Sequence, residues 1–372
     1  MEGCLDVILA ECTPLRRLVT VRSQGISIGQ LWYETAPPVV RPFSAITMDF
    51  AAIAMLPYAM HRRQHLHVGG AVTRSLLANL EEYQDAWVRW CPDLFAPISI
   101  SVETILDARA RPAAGASYGS VLAFSGGLDS TYTLIANQTG ALGQRGRTLG
   151  TLAMVHGFDI PLHDTDAFDV ASAKACRLGA AFGVPVQRIR TNWRAWSPQW
   201  ELTHGMALSS VLQLFSGDHD AALLSADRPY GREIFPWGAN SITNRFMSSE
   251  EFPLLTAGFG ATRTQKARLV GQHALARDVV RVCWAGTDLG RNCGVCGKCV
   301  CTKLIFLAAG IGVIPALGAL DLHEFATFTT RSLGQMHLLE EALEAGSVLP
   351  ADVHATLCSV VARERLKYAP AG

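Results

Sequence analysis

One short segment limits the possible folds of this chain more than any other. Residues 121–130 read Val-Leu-Ala-Phe-Ser-Gly-Gly-Leu-Asp-Ser, so an apolar strand pattern leads directly into a turn rich in glycine and hydroxyl groups. A helical pattern follows at once, over residues 131–137. A strand, a glycine turn and a helix in this order bring backbone N–H groups and the positive end of a helix dipole to one place. The segment therefore predicts a site for phosphate or another anion.

The remainder of the chain after residue 120 continues this alternation. Strand patterns at 121–124, 152–156, 186–190 and 221–225 alternate with helical patterns at 131–137, 166–182 and 204–217. Such alternation predicts an α/β fold with a parallel sheet, in which ligands bind at the carboxyl ends of the strands. Residues 227–259 show no regular pattern, and we expect this long segment to cover the site. Helical patterns close the chain at 333–346 and 351–366.

The N-terminal part follows a different pattern. Short strand patterns at 18–22, 25–33 and 98–102 are mixed with helical patterns at 45–60 and 72–90. Residues 107–120 are rich in Ala, Arg, Pro and Gly and resemble a linker. We therefore predict a smaller α+β domain of unknown role at 1–115, followed by the nucleotide-binding domain at 116–372.

Composition limits the classes of partner. The chain has 32 basic and 32 acidic residues and 49% hydrophobic residues, so no overall charge favours nucleic acid or a membrane surface. The N-terminus lacks the basic and apolar regions of a signal peptide, and no apolar run forms a good membrane span. We expect a cytoplasmic protein with a small-molecule substrate. Whether it forms a homodimer is left open.

Five of the ten cysteines lie within one short stretch. Cys293, Cys296 and Cys299 form two overlapping C-x-x-C pairs, and Cys283 precedes them by nine intervening residues. Four thiolates at such spacing predict a closed tetrahedral Zn²⁺ site in a knuckle at 283–301. An iron–sulfur cluster is the competing interpretation. Cys301 is either a substitute ligand for Cys283 or a spare thiol.

The two motifs together resemble one group of enzymes. Residues 125–130 lack the Gly-Lys-[Ser/Thr] of a Walker loop and instead resemble the Ser-Gly-Gly-x-Asp-Ser loop of the PP-loop ATP pyrophosphatases, which have a HUP-like fold. Among these, the 7-cyano-7-deazaguanine synthases also carry a late zinc knuckle. The resemblance implies that ATP is cleaved to AMP and pyrophosphate, with Mg²⁺ and Zn²⁺ as cofactors. It covers residues 120–310, and neither the N-terminal domain nor the segment at 227–240 has a counterpart in it.

The resemblance also implies roles for individual residues. ATP would be bound by Ser125, Gly126, Gly127, Leu128, Asp129, Ser130, Val155 and His156, with the last two near adenine and ribose. Asp129 and Ser130 would be catalytic, and Lys266 or Arg263 would neutralise the phosphates. Asp129, with Asp227, is the expected carboxylate for Mg²⁺. The structural alternatives are a helix cap for Asp129 and a hydrogen-bonded core histidine for His156.

Three functions are compatible with these motifs. The first is a ligase, or a related adenylating transferase, that activates a carboxylate or amide oxygen of a small, nucleobase-like or other substrate. The activated group is then captured by ammonia or another nucleophile, so that an amide or nitrile forms. The second is an ATP-dependent sulfurtransferase in which Cys301 or Cys176 carries persulfide sulfur. The third is a non-catalytic, nucleotide-binding regulatory module. The complete loop sequence favours an enzyme over this last interpretation.

Overall fold

The computed structural model describes residues 3–107, 117–345 and 348–368. Ten strands lie in this part of the chain: β1 (Cys4–Cys12), β2 (Arg16–Ser23), β3 (Ile26–Ala36), β4 (His65–Thr73), β5 (Ile100–Leu106), β6 (Ser120–Ala123), β7 (Leu149–His156), β8 (Val186–Thr191), β9 (Ala221–Ser225) and β10 (Leu254–Ala257). All ten belong to one sheet.

The helices of the described residues surround this sheet. In chain order they are α1 (Asp49–Arg62), α2 (Arg74–Trp90), α3 (Leu128–Gln138), α4 (Thr165–Ala181), α5 (Trp200–Gln213), α6 (Arg263–Gly271), α7 (Ala274–Val279), α8 (Gly297–Ala308), α9 (Leu322–Ala326), α10 (Leu333–Glu344) and α11 (Ala351–Arg365). No helix within the described ranges has both the length and the apolar character needed to cross a membrane.

The strand order places the glycine turn at a crevice. The order is β10-β9-β6-β7-β8-β3-β2-β1-β4-β5, and neighbours are parallel except at β1–β2, β2–β3 and β3–β8. The chain runs from β6 through β7 to β8 on one side and returns to β9 on the other. Loops that leave a sheet at such a reversal open a crevice at the carboxyl ends of the strands. The turn after β6 lies there, and the predicted α/β class with a mostly parallel sheet is confirmed.

The two faces of the sheet bury separate cores. Successive residues of β6 alternate between them, because Val121 packs with α1 and α5 whereas Leu122 packs with α3, α4 and α8. This is the period of two that a strand imposes on its side chains. Strands buried on both faces therefore read as continuous apolar runs in the sequence.

The N-terminal strands continue the same sheet. β3 pairs antiparallel with β8, from Tyr33 opposite Thr191 to Ala36 opposite Arg188. Strands β1 and β4, which the sequence analysis did not predict, complete this half. The predicted boundary near residue 115 and most of the predicted linker lie outside the described residues. The division into two domains stays a prediction.

Candidate functional site

A cavity of about 520 Å³ opens at the carboxyl ends of β6, β7 and β9. Its walls come from the turn after β6, the end of β7, the segment after β9, and helices α5, α6, α8 and α10. Cavities of this size commonly bind small molecules and cofactors. The predicted phosphate loop and much of the predicted cover segment meet at this place.

The turn after β6 takes the shape that anion binding requires. Gly126 has φ +73°, a conformation that L side chains rarely adopt, and its carbonyl accepts a hydrogen bond from Arg281 N at 2.8 Å. Gly127 is the residue before α3, so the first N–H groups of this helix face outward without intrahelical partners. The Ser125 and Ser130 hydroxyl oxygens lie 3.4 Å apart beside them. Ser125, Gly127, Leu128, Asp129 and Ser130 line the cavity, and Gly126 forms the bend behind them.

Asp129 connects this loop to two cations from a distant helix. Its Oδ1 accepts from Lys266 Nζ at 2.9 Å, and its Oδ2 accepts from Arg263 Nη2 at 2.9 Å. Burial raises the pKa of Asp129, but the two cations more than offset this, and the pKa lies below the ordinary aspartate value. The structure thus brings together the three charged residues that the sequence analysis placed in one site.

Helix α6 is fixed so that its first turn faces the loop. Thr262 and Gln265 form a capping box, which holds the helix start where Arg263 reaches the cavity. Glu341 of α10 accepts hydrogen bonds from the Thr264 N–H and hydroxyl group at 2.6 and 2.8 Å. Lys266 is fully buried and also donates to the Ala226 carbonyl at 2.5 Å. These contacts position both cations before any ligand binds.

The two residues expected near adenine have different surroundings. Val155 lines the cavity at the end of β7. His156 is buried, stacks on Phe168 with ring centroids 4.4 Å apart, and hydrogen bonds through Nε2 to the Pro161 carbonyl at 2.8 Å. The ring is therefore engaged in packing behind the wall. Asp159, which the sequence analysis did not single out, lines the cavity a few residues later.

The segment 227–259 contributes one wall of the cavity. Asp227, Arg228 and Trp237 line it, and the Arg228 guanidinium lies 5.0 Å from the centre of the Trp237 ring. The segment is less irregular than predicted, because it ends in the short strand β10. Trp200, at the start of α5, lines the cavity, whereas Trp193 packs in the core. The wall therefore combines aromatic faces with positive charge.

Four cysteines cluster beside this cavity. The sulfur atoms of Cys283, Cys293, Cys296 and Cys299 all lie within 4.8 Å of one another. The Cys283 sulfur is 3.4 Å from those of Cys293 and Cys296. A tetrahedral site with Zn–S bonds of about 2.3 Å needs sulfur atoms roughly 3.8 Å apart, so this donor set fits a zinc ion. The predicted four-cysteine group is confirmed as a cluster that could hold a metal.

Cys301 differs from these four residues. Its sulfur is outside the cluster, and its side chain lines the cavity. Burial raises the pKa of the Cys301 thiol to about 12, although the Arg263 charge opposes this. By contrast, hydrogen bonds from neighbouring thiols, that of Cys299 first, lower the pKa of Cys296 to about 4. The same hydrogen bond raises the pKa of Cys299, so Cys296 alone of this pair has thiolate character, and Cys301 is a neutral thiol at pH 7.

The cavity wall also contains two cationic residues that were not predicted from the sequence. Arg281 and Lys298 lie next to the cysteine ligands in the sequence, and both line the cavity. Their closeness to the cysteine motif in the sequence is the only signal that could have indicated them, because the sequence does not show which side of the knuckle faces the cavity.

Comparison of the chain with protein-family models, with curated proteins and with solved structures finds no match.

Proposed function

We propose that this protein is an ATP-dependent adenylating enzyme of the PP-loop type, which forms AMP and pyrophosphate. The observation that carries the proposal is the hydrogen bonding of Asp129, in the glycine loop, to Arg263 and Lys266 at the edge of the cavity. The loop offers N–H groups and hydroxyls to phosphates, and the half-buried Arg263, whose side chain is 25% exposed, adds a positive charge at the cavity. This combination suits a leaving pyrophosphate, whose charge increases as the bond to the α-phosphorus breaks.

The reaction would need little covalent chemistry from the protein. An oxygen of the acceptor's carboxylate or amide attacks the α-phosphorus, the bond to the bridging oxygen breaks, and pyrophosphate leaves with the electron pair. Ammonia then attacks the adenylated carbon, AMP departs, and a proton is lost from nitrogen. The loop 125–130 and Arg263 would hold and neutralise the phosphates in line. The apolar wall would exclude water from the adenylate.

Cofactors fit the residues that are present. The cavity carboxylates Asp159 and Asp227 suit Mg²⁺, which prefers oxygen ligands and would add positive charge to the ATP phosphates. Both oxygens of Asp129 already accept from cations, so Asp227 is the better candidate of the two residues expected from the sequence. Zn²⁺ would be held by the four cysteines, away from the reacting atoms, as a structural ion.

Two assays test the proposal: release of AMP and pyrophosphate from ATP, and exchange of labelled pyrophosphate into ATP. Wild-type protein with ATP, Mg²⁺ and a panel of small acids, with and without ammonium, is expected to release AMP and pyrophosphate. Arg263→Met is expected to reduce this rate by about a hundredfold, since loss of one charge-stabilising group typically costs that much. Arg268→Met removes an exposed arginine of the same helix and should leave the rate unchanged. ADP and phosphate as the only products would contradict adenylation.

Sulfur transfer is the second candidate, because Cys301 lines the same cavity. The raised pKa of its thiol disfavours it as a nucleophile at neutral pH. Cys301→Ala decides between the two. A variant that still forms an ammonia-derived product excludes a sulfur-carrying role for this residue. Loss of product with retained pyrophosphate release would support sulfur transfer.

A further inference from the structure

The cavity has two groups of cations on different sides of the glycine loop. Arg263 is paired with Asp129, as described above. Arg281 and Lys298 belong to the segment that carries the cysteines, two residues before Cys283 and two after Cys296. The Asp129 carboxylate offsets one of the two positive charges of the first group, Arg263 and Lys266, whereas the second group contains a buried donor without a partner among the described residues.

Arg281 is a buried guanidinium with a free donor. Only 6% of the residue is exposed, and its Nε donates to the Leu289 carbonyl at 2.8 Å. Its Nη2 is buried and has no hydrogen-bond partner among the described residues. Leaving a buried charged donor without a partner is unfavourable, so such a group calls for a ligand. The backbone of Arg281 bonds to Gly126, which fixes the side chain beside the loop.

Lys298 and a helix start face the same space. Lys298 is exposed, lines the cavity, and has its Nζ 2.7 Å from the centre of the Trp284 ring. Gly297 is the first residue of α8, a 12-residue helix that begins without a side-chain cap. The N–H groups of a helix start and its dipole favour an anion. Two cations and one helix start thus meet on one wall.

We propose that Arg281, Lys298 and the N-terminus of α8 form a second anion subsite, distinct from the group at Asp129. Its ligand is an oxyanion, either the leaving pyrophosphate or the acid group of the acceptor. The naming of these two sources rests on the proposed function, but the subsite itself rests on the free donor of Arg281. Besides holding a metal ion, the cysteine knuckle would then have a second role, because its folded segment places Arg281 and Lys298 at the cavity wall.

The negative charge of Asp159 determines whether its removal strengthens or weakens ligand binding at the subsite. It lines the cavity and lies close enough to Arg281 and Lys298 to interact with both charges. An incoming anion is repelled by this carboxylate. In the absence of Mg²⁺, for which the same carboxylate is a candidate ligand, removing its charge in Asp159→Asn should therefore strengthen anion binding, whereas binding of a cation would be weakened.

Binding of two probes without ATP tests the subsite. Inorganic pyrophosphate is followed by phosphorus NMR, and fluorobenzoate, as a carboxylate probe, by fluorine NMR, with the full-length protein and its metal content measured. Arg281→Met and Lys298→Met are each expected to weaken one probe by about tenfold or more, the effect of one charge-assisted hydrogen bond. Arg291→Met removes an exposed cation of the same segment and should bind like wild type.

The outcomes distinguish the two possible ligands, the leaving pyrophosphate and the acid group of the acceptor. They also test the subsite separately from the proposed adenylation. Selective loss of pyrophosphate assigns the subsite to the leaving group, and selective loss of fluorobenzoate assigns it to the acceptor. Lys298→Met keeps the test valid if Arg281→Met fails to fold, because Lys298 is exposed. Unchanged binding of both probes in folded, metal-loaded Lys298→Met would overturn the subsite, as would unchanged binding in a folded Arg281→Met. Neither result depends on turnover, so adenylation can fail or succeed independently.

Discussion

Asp129 illustrates how one residue in this protein combines a structural and a chemical role. Both of its oxygens accept hydrogen bonds, from Lys266 and Arg263. The Lys266 side chain is fully buried, and the Asp129 side chain is 18% exposed. A lysine charge at such depth requires the carboxylate opposite it. The interaction therefore stabilises the fold and also fixes Arg263 at the cavity.

Replacing this carboxylate should destabilise the protein. In Asp129→Asn the free energy of unfolding at pH 7 is expected to fall by about 3 kcal/mol, because a buried cation loses its partner. Urea unfolding followed by circular dichroism measures the change. Asp166→Asn is the matched control, since Asp166 is also an acidic residue in the first turn of a helix but is exposed. A similar loss in both variants would contradict this explanation.

The same substitution predicts a pH dependence. The pKa of Asp129 is lower in the folded protein, so its contribution is complete above the ordinary aspartate pKa. That contribution is lost as the pH falls through the lowered value. The difference in stability between wild type and Asp129→Asn should therefore shrink on acidification. A difference that grew as the pH fell would show that the carboxylate is not the stabilising ionised form.

At the scale of elements, the knuckle joins metal binding to the cavity. Its four sulfur atoms converge within 4.8 Å, and helix α8 starts immediately after Cys296. The same short segment presents Lys298 and Trp284 to the cavity. Loss of the metal would release the helix start as well as the loop. Binding and metal content should consequently vary together.

Removing one ligand of the cluster tests this coupling. Cys296→Ser is expected to lose most of its zinc and to weaken pyrophosphate binding by about tenfold, because the N-terminus of α8 is no longer held in place. Elemental analysis and phosphorus NMR measure the two effects. Cys358→Ser changes an exposed cysteine of α11 and should retain the metal. Full zinc occupancy in Cys296→Ser would remove the cluster from the explanation.

At the scale of the whole molecule, the N-terminal strands β1–β5 and the later strands β6–β10 share one sheet. Gln187 of β8 is fully buried at their junction. Its Oε1 accepts from the Val40 and Arg41 N–H groups at 2.8 and 2.9 Å. One core also packs α1 and α5 together across this junction. We expect the two parts to unfold cooperatively.

Gln187→Ala tests this expectation. The substitution leaves two buried N–H groups without their acceptor and should lower the free energy of unfolding by about 2 kcal/mol. Hydrogen exchange should report the loss in both the N-terminal and the C-terminal strands. Gln138→Ala, at the exposed end of α3, should have little effect. Loss of protection confined to residues 3–107 would instead favour the two independent domains predicted from the sequence.

Local patterns made much of the site predictable. The glycine loop and the cysteine knuckle each lie within a short stretch of sequence, so the turn at the cavity and the convergence of four sulfur atoms could be predicted from local spacing. The strands from β6 to β9 were predictable because burial on both faces makes them continuously apolar. Strands β1 and β4 were missed because half-buried strands carry polar residues on one face. β10 was missed because only its first residue, Leu254, is buried, so this strand lacks the continuous apolar run that identifies β6.

The sequence by itself determined the glycine turn after β6, the α/β class and the four-sulfur cluster, since each is encoded by residues close in the chain. The tertiary structure alone decided which distant charges meet the turn. Arg263 and Lys266 reach Asp129 across 134 and 137 residues, because a capped α6 packs beside α3. It also decided that Arg281 and Lys298 face the cavity. Such contacts depend on how helices pack on the sheet, and side-chain spacing along the chain does not encode that packing.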